Sequence, residues 1–186
     1  MQISGFSNES FVDGPGIRIV VFTQGCPHAC PHCHNPQSWD LNGGEEISTQ
    51  DLIKKIKQAI KRAGGAALPA PGKSNKKAPR GGKVQGVTFS GGEPFLQAGE
   101  LATVATAVKK LGLDITTYTG YTYEELTNRK DEDTNALLAL TDYLIDGLYI
   151  HKLRDIGLKF RGSSNQRIID MADTRKNGEI TLFQGG

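Results

Sequence analysis

The sequence predicts an α/β fold built on a mostly parallel sheet. Two observations carry this reading. Short runs of β-branched and aromatic residues alternate along the chain with stretches whose apolar residues recur at helical spacing. Gly, Ser and Thr then punctuate the joints where one element ends and the next is capped. A third observation limits the size: 186 residues suit one domain with one core.

Taken in order, residues 17–22 read as a buried strand, broken by Arg18 and ended by Thr23-Gln24-Gly25. Ser48 caps a helix, with Asp51 as the acidic half of a weak capping box, and Leu52, Ile53, Ile56 and Ile60 mark its inner face. Residues 84–90 form the next strand. Leu96, Leu101, Val104, Val108 and Leu111 mark a second helix, which Gly112 ends. Residues 114–118 are a strand, Thr122 with Glu125 opens a short helix, 136–140 is helical and 143–145 is a strand. Residues 167–169 and 179–183 are read as further strands. The chain is expected to form a single domain over 1–186, with one flexible insertion. That insertion is 64–83, where five Gly, three Pro and five basic residues bury too little apolar surface to offset ordering entropy.

Composition excludes several functions. No apolar run approaches the roughly 18 residues needed to span a bilayer, and Met1 to Gly5 lacks the blocks of a signal peptide, so a cytoplasmic protein without membrane contact is expected. The net charge is +2, but the five cations of 64–83 account for it; the rest of the chain carries −3. A nucleic-acid-binding face spreads its charge over a folded surface, so no nucleic-acid partner is expected.

All three cysteines lie in Cys26-Pro27-His28-Ala29-Cys30-Pro31-His32-Cys33, a C-x3-C-x2-C spacing. An odd number this tightly clustered is a poor disulfide framework. Thiolates are the usual ligands of iron–sulfur clusters, and a [4Fe–4S] cube normally takes four. Three thiolates leave one iron open to bind and activate a small molecule. The competing reading is structural zinc, with His28, His32 or His34 as fourth ligand. A second motif, Ser90-Gly91-Gly92-Glu93-Pro94, follows a strand. Its two glycines permit close backbone approach to a ligand, or merely a strand-to-helix turn.

The cysteine spacing after the first strand, with Gly-Gly-Glu-Pro after the second, resembles the radical S-adenosylmethionine superfamily. Three further blocks narrow the likeness: Val12-Asp13-Gly14-Pro15-Gly16-Ile17-Arg18, Cys33-His34-Asn35-Pro36 and Phe160-Arg161-Gly162-Ser163-Ser164-Asn165-Gln166-Arg167. With these the chain resembles the glycyl-radical-enzyme activases, most of all the activating proteins of anaerobic ribonucleoside-triphosphate reductase. It departs from their pattern at Leu148 and His151, where a proline and an acidic residue are expected, and in the length of 64–83.

The resemblance implies an incomplete radical-SAM β/α barrel. It implies that Cys26, Cys30 and Cys33 hold a [4Fe–4S] cluster, and that His32, Cys33, His34, Gly91, Gly92 and Glu93 line the S-adenosylmethionine site. A flavodoxin or ferredoxin would reduce the cluster. The cofactor would then split to methionine and a 5′-deoxyadenosyl radical, which takes hydrogen from a glycine of the large reductase subunit. The same chemistry on a formate-lyase is the first alternative. A zinc-stabilised module whose basic loop docks acidic partners is the second.

Overall fold

The computed structural model describes residues 1–66 and 83–185. Most of the basic stretch 64–83 therefore lies outside the described residues. Seven strands form one sheet: β1 (Gln2–Ser10), β2 (Arg18–Thr23), β3 (Glu45–Glu46), β4 (Gly86–Gly91), β5 (Asp114–Tyr118), β6 (Tyr143–Asp146) and β7 (Arg167–Asp170). Their spatial order is β3-β1-β2-β4-β5-β6-β7. The central pairs β2·β4, β4·β5 and β5·β6 are parallel, whereas β1, β3 and β7 add antiparallel margins. The fold is thus mixed α/β with a mostly parallel sheet that does not close, since β3 and β7 are its two edges.

Among the described residues, five helices accompany it: α1 (Thr49–Arg62), α2 (Ala98–Lys109), α3 (Tyr123–Asn128), α4 (Glu132–Leu140) and α5 (Met171–Asn177). Ser48 caps α1 by accepting from the Asp51 amide, and Thr122 with Glu125 closes a full capping box on α3, both as the sequence predicts. The predicted second helix begins later than Leu96, because Pro94–Gln97 forms a 3-10 turn first. Residues 179–183 do not form the expected strand; only an isolated bridge joins Leu182 to Ile169. No helix among the described residues is long and apolar enough to cross a membrane.

Side chains alternate across the sheet. One face carries Ile19 and Val21 of β2, Val87 and Phe89 of β4, Ile115 of β5 and Leu144 of β6 into a single core. Leu52 and Ile56 of α1, Leu101 and Val104 of α2, and Leu137 of α4 cover that face. Each such buried side chain contributes roughly 1.5–3 kcal/mol. The alternate positions on the other face include buried polar groups, Arg18, Thr88 and Thr116. Arg18 explains the break in the apolar run of β2. Its guanidinium is fully buried; it donates to Thr88 Oγ1 at 2.6 Å, Pro15 O at 2.9 Å and Val87 O at 3.0 Å, and pairs with Asp114 at 2.6 Å. The Asp13-Gly14-Pro15-Gly16 block is thereby fastened at the N-terminal end of the central strands.

Candidate active site

The distinctive motifs lie at the opposite, carboxyl ends of β2, β4, β5 and β6, where parallel sheets gather their chemistry. The cysteine loop leaves β2 at Thr23 and is closed at its root by two backbone hydrogen bonds, Gly25 N to Ser38 O at 2.8 Å and Cys26 N to Trp39 O at 3.1 Å. The buried Gln24 amide donates to Asp40 O at 2.8 Å. Within the loop, Cys33 N donates to Cys30 O at 3.1 Å and Asn35 N donates to Cys33 Sγ at 3.4 Å. Ala29 and His32, each just before a cysteine, adopt positive φ of 44° and 59°. Non-glycine residues enter that region only where their surroundings impose it, and functional loops are where such strain collects.

Cys26, Cys30 and Cys33 are free thiols, each half-buried. Burial first, then neighbouring charge from Glu93 and the other cysteines, pushes the Cys26 thiol up; burial and then Cys33 push the Cys30 thiol up. Several thiolates and a carboxylate therefore burden one another here, a situation that a cationic iron centre relieves. Among the described residues, no three His, Cys, Asp or Glu side chains converge as a single metal ion requires. A cube makes a different demand, since each thiolate meets its own iron at a separate corner. The donor set fits the cluster.

The glycine loop is pressed against the root of the cysteine loop. Gly92 N donates to Thr23 O and Glu93 N to Gly25 O, both at 2.8 Å. A Cβ on Gly92 would collide with the Gly25 carbonyl; one on Gly91, whose φ is +94°, would lie 2.7 Å from Thr23 N and O. These glycines are thus required by a close approach to the chain's own backbone.

Glu93 is fully buried and ties three loops together. One oxygen accepts from Phe95 N at 3.0 Å, the other accepts from Gly120 N at 2.9 Å and lies 2.9 Å from His28 Nε2, and Thr119 Oγ1 donates at 2.9 Å. The His28 ring then meets the edge-on ring of Tyr121 at 4.4 Å. His28, weighed from sequence only as a zinc ligand, is a brace between the cysteine loop and the end of β5. A histidine between cysteines gave no signal of that partner.

The far wall of the site comes from the segment after β6. His32 stacks on His151 at 4.1 Å, and His34 lies 4.8 Å from Tyr149. Between the segment and the cysteine loop runs an open groove of ≈ 430 Å³, lined on one side by His28, Cys30 and His32 and on the other by Leu148 and Ile150. Asp146, at the end of β6, is buried; it accepts from Tyr123 N at 2.8 Å and from Arg167 Nε at 3.0 Å, and Arg167 also holds Glu124 at 3.0 Å. Burial raises the Tyr118 phenol far above its usual range, so it stays protonated and donates to Phe160 O at 2.6 Å.

The structure therefore brings together Cys26, Cys30, Cys33, Gly91, Gly92 and Glu93, with His32 and His34 on the outward side of the loop. Such an arrangement is that of an iron–sulfur protein with an open groove beside its cluster loop. Comparison with known families agrees: the profile of the 4Fe-4S single cluster domain family matches residues 12–169. Among curated proteins, the chain is 35% identical over 162 residues to the anaerobic ribonucleoside-triphosphate reductase-activating protein of Vibrio cholerae, covering 84% of this chain and 90% of that one. It is 36% identical over 137 residues to the pyruvate formate-lyase-activating enzyme of Clostridium pasteurianum, covering 70% of this chain and 49% of the relative. With the pyruvate formate-lyase 1-activating enzyme of Escherichia coli K12 it shares 31% over 186 residues, 98% of this chain and 65% of that one. The chain thus spans about half to two thirds of the formate-lyase activases, but nine tenths of the Vibrio protein. It belongs to the 4Fe-4S single cluster domain family, within the radical S-adenosylmethionine superfamily of these activases. A [4Fe–4S] cluster and S-adenosylmethionine are the cofactors of such enzymes.

Proposed function

We propose that the protein activates an anaerobic ribonucleoside-triphosphate reductase by placing a radical on a glycine of its large subunit. The observation that carries this is the seat of three free, half-buried thiols at the end of β2, held by the glycine loop and open on one side to a groove. The 90% coverage of the Vibrio activating protein supports the choice of partner. In this reading the unclosed sheet is an incomplete radical-SAM β/α barrel, and 64–83 is an insertion between α1 and β4 within one domain. Cys26, Cys30 and Cys33 hold the cluster. A [4Fe–4S] cluster bound there would supply the one-electron reduction, with a flavodoxin or ferredoxin as the electron source, that splits S-adenosylmethionine into methionine and the radical needed to take the glycine hydrogen.

The chain's own residues supply position. The loop containing Cys33 sets His32 into the groove wall and His34 against Tyr149, and these two and the Gly91, Gly92 and Glu93 loop bound the cofactor site. Glu93 keeps His28 and the Thr119-Gly120 turn in register with the cysteines. The groove stays open at its rim, as a site for a protein segment must until its substrate closes it and excludes water. Orientation of this kind accounts for several kcal/mol of a reaction barrier.

The test is anaerobic mixing of the reduced, cluster-loaded protein with S-adenosylmethionine and the reductase large subunit, followed by EPR. A glycyl doublet with subsequent nucleotide reduction is expected. The Clostridium likeness favours a second reading, formate-lyase activation. A doublet on a formate-lyase and none on the reductase would establish that alternative.

A further inference from the structure

We propose that residues 148–161, between β6 and β7, form the docking face for the glycyl radical enzyme, and that this face takes an apolar, carboxylate-bearing surface surrounding the target glycine. The inference rests on the activase reading above. Among the described residues, Leu148, Ile150, Leu153 and Ile156 stand 43%, 41%, 42% and 87% exposed. Single exposed apolar side chains need no explanation, but four within one short segment do. The only regular structure in the segment is a 3-10 turn at His151–Leu153. Its backbone is nonetheless tied down: Ser164 N donates to Leu153 O at 2.9 Å, Asn165 Nδ2 to Leu148 O at 2.8 Å, and Ile150 N to Ser163 Oγ at 3.2 Å. A segment fixed in this way, with its apolar side chains still outward, is preorganised for a partner.

Charge and position specify the occupant. Lys152, Arg154 and Lys159 are exposed in this segment, and Asp155 is its only carboxylate. Among the described residues, none of these three cations enters an ion pair. An apolar centre with a cationic rim favours a protein surface bearing carboxylates, and the rim steers its approach. The face is continuous with the groove, because Leu148 to Lys152 line the wall opposite Cys30. A loop docked on 148–161 is thus led to the cysteine loop, against which His151 is already stacked.

Ile156→Glu, Leu153→Glu and Ile156→Glu with Arg154→Glu test this in the cluster-loaded full chain. Leu182→Glu serves as control; Leu182 is also exposed but bridges Ile169, whose strand partner Leu144 lies toward the start of β6. Three quantities are read: cofactor cleavage without partner, affinity for the reductase large subunit, and glycyl radical yield. Cleavage without partner is expected to stay within about twofold of wild type, while affinity falls at least about tenfold, as at a central apolar interface residue. Radical yield should fall with occupancy and recover at high partner concentration, and Leu182→Glu should match wild type. Hydrogen exchange at 150–158 should slow when the partner saturates the protein. Unchanged affinity in the folded Ile156→Glu and Leu153→Glu proteins, or unslowed exchange at 150–158 in the complex, overturns the docking face while the activase reading stands. A wild-type protein that forms no glycyl radical on either enzyme overturns both.

Discussion

The two ends of the central strands use the same device to opposite effect. At the N-terminal end, the Arg18–Asp114 pair is closed in on itself: the guanidinium is fully buried and meets a hydroxyl, two carbonyls and a carboxylate. At the C-terminal end, Glu93 and His28 are also paired away from solvent, at 1% and 12% side-chain exposure, yet the thiols they brace remain half-exposed beside a groove. One pair locks a loop onto the sheet and leaves nothing to react. The other holds a reactive loop in place from behind. Sequence blocks resembling the activases fall on both ends, so resemblance alone does not separate support from chemistry.

Replacing Arg18 should have the largest effect on stability and none on the cysteine loop. Arg18→Met leaves Asp114 beside apolar surroundings without its cation, and burial already pushes that carboxyl up, with Arg18 opposing the shift. A loss of about 2–4 kcal/mol in urea unfolding is expected, below the largest costs of broken buried pairs because the Asp114 side chain is 34% exposed. Iron retention per folded molecule should be unchanged.

Glu93→Gln should show the converse. The amide keeps one acceptor but turns its NH2 toward a group that itself donates, Phe95 N or Gly120 N. A smaller loss of about 1–3 kcal/mol follows from a buried bond left unmade. Iron release to a chelator should be markedly faster than in wild type, since His28 loses its brace. Equal release rates would mean that the cysteine loop does not depend on the glycine loop.

Glu124→Gln should have the smallest effect. Its hydrogen bond from Arg167 is the main cause that holds the Glu124 carboxyl down at about 2, from 4.5. The folded-state value lies below the unfolded one, so the contribution is present above pH 4.5 and is lost as pH falls toward 2. With Glu124 53% exposed, solvent screening limits it to less than about 1 kcal/mol. The variant should unfold with a flatter pH dependence over that window, measured by urea titration at several pH values.

These contrasts also mark what the sequence could convey. The central strands and α1 were legible because Ile19, Val21, Val87, Phe89 and Ile115 must bury against helices whose apolar spacing is visible, and because Ser48 and Thr122 cap locally. β1 was not foreseen: Gln2–Ser10 is mostly polar, and its pairing with β2 is irregular, with register shifts on either side of Gly5 to Ser7. The seven residues of α5, opened by Asp170, give too short a pattern to stand out. The cysteines and glycines were legible as a site because their chemistry is local. The Glu93–His28 brace and the His32–His151 stack were not, for they join residues 65 and 119 positions apart.

Cys26, Cys30 and Cys33 are proposed as the cluster's ligands, and the chain has no spare thiol. Iron content, visible absorbance and reductive cleavage of S-adenosylmethionine in anaerobically reconstituted Cys30→Ala test that assignment most directly. Loss of the [4Fe–4S] absorbance and of cofactor cleavage, in a protein that remains folded, is the expected result. A Cys30→Ala protein that still carried a full cluster and cleaved the cofactor would show that Cys30 is not a ligand.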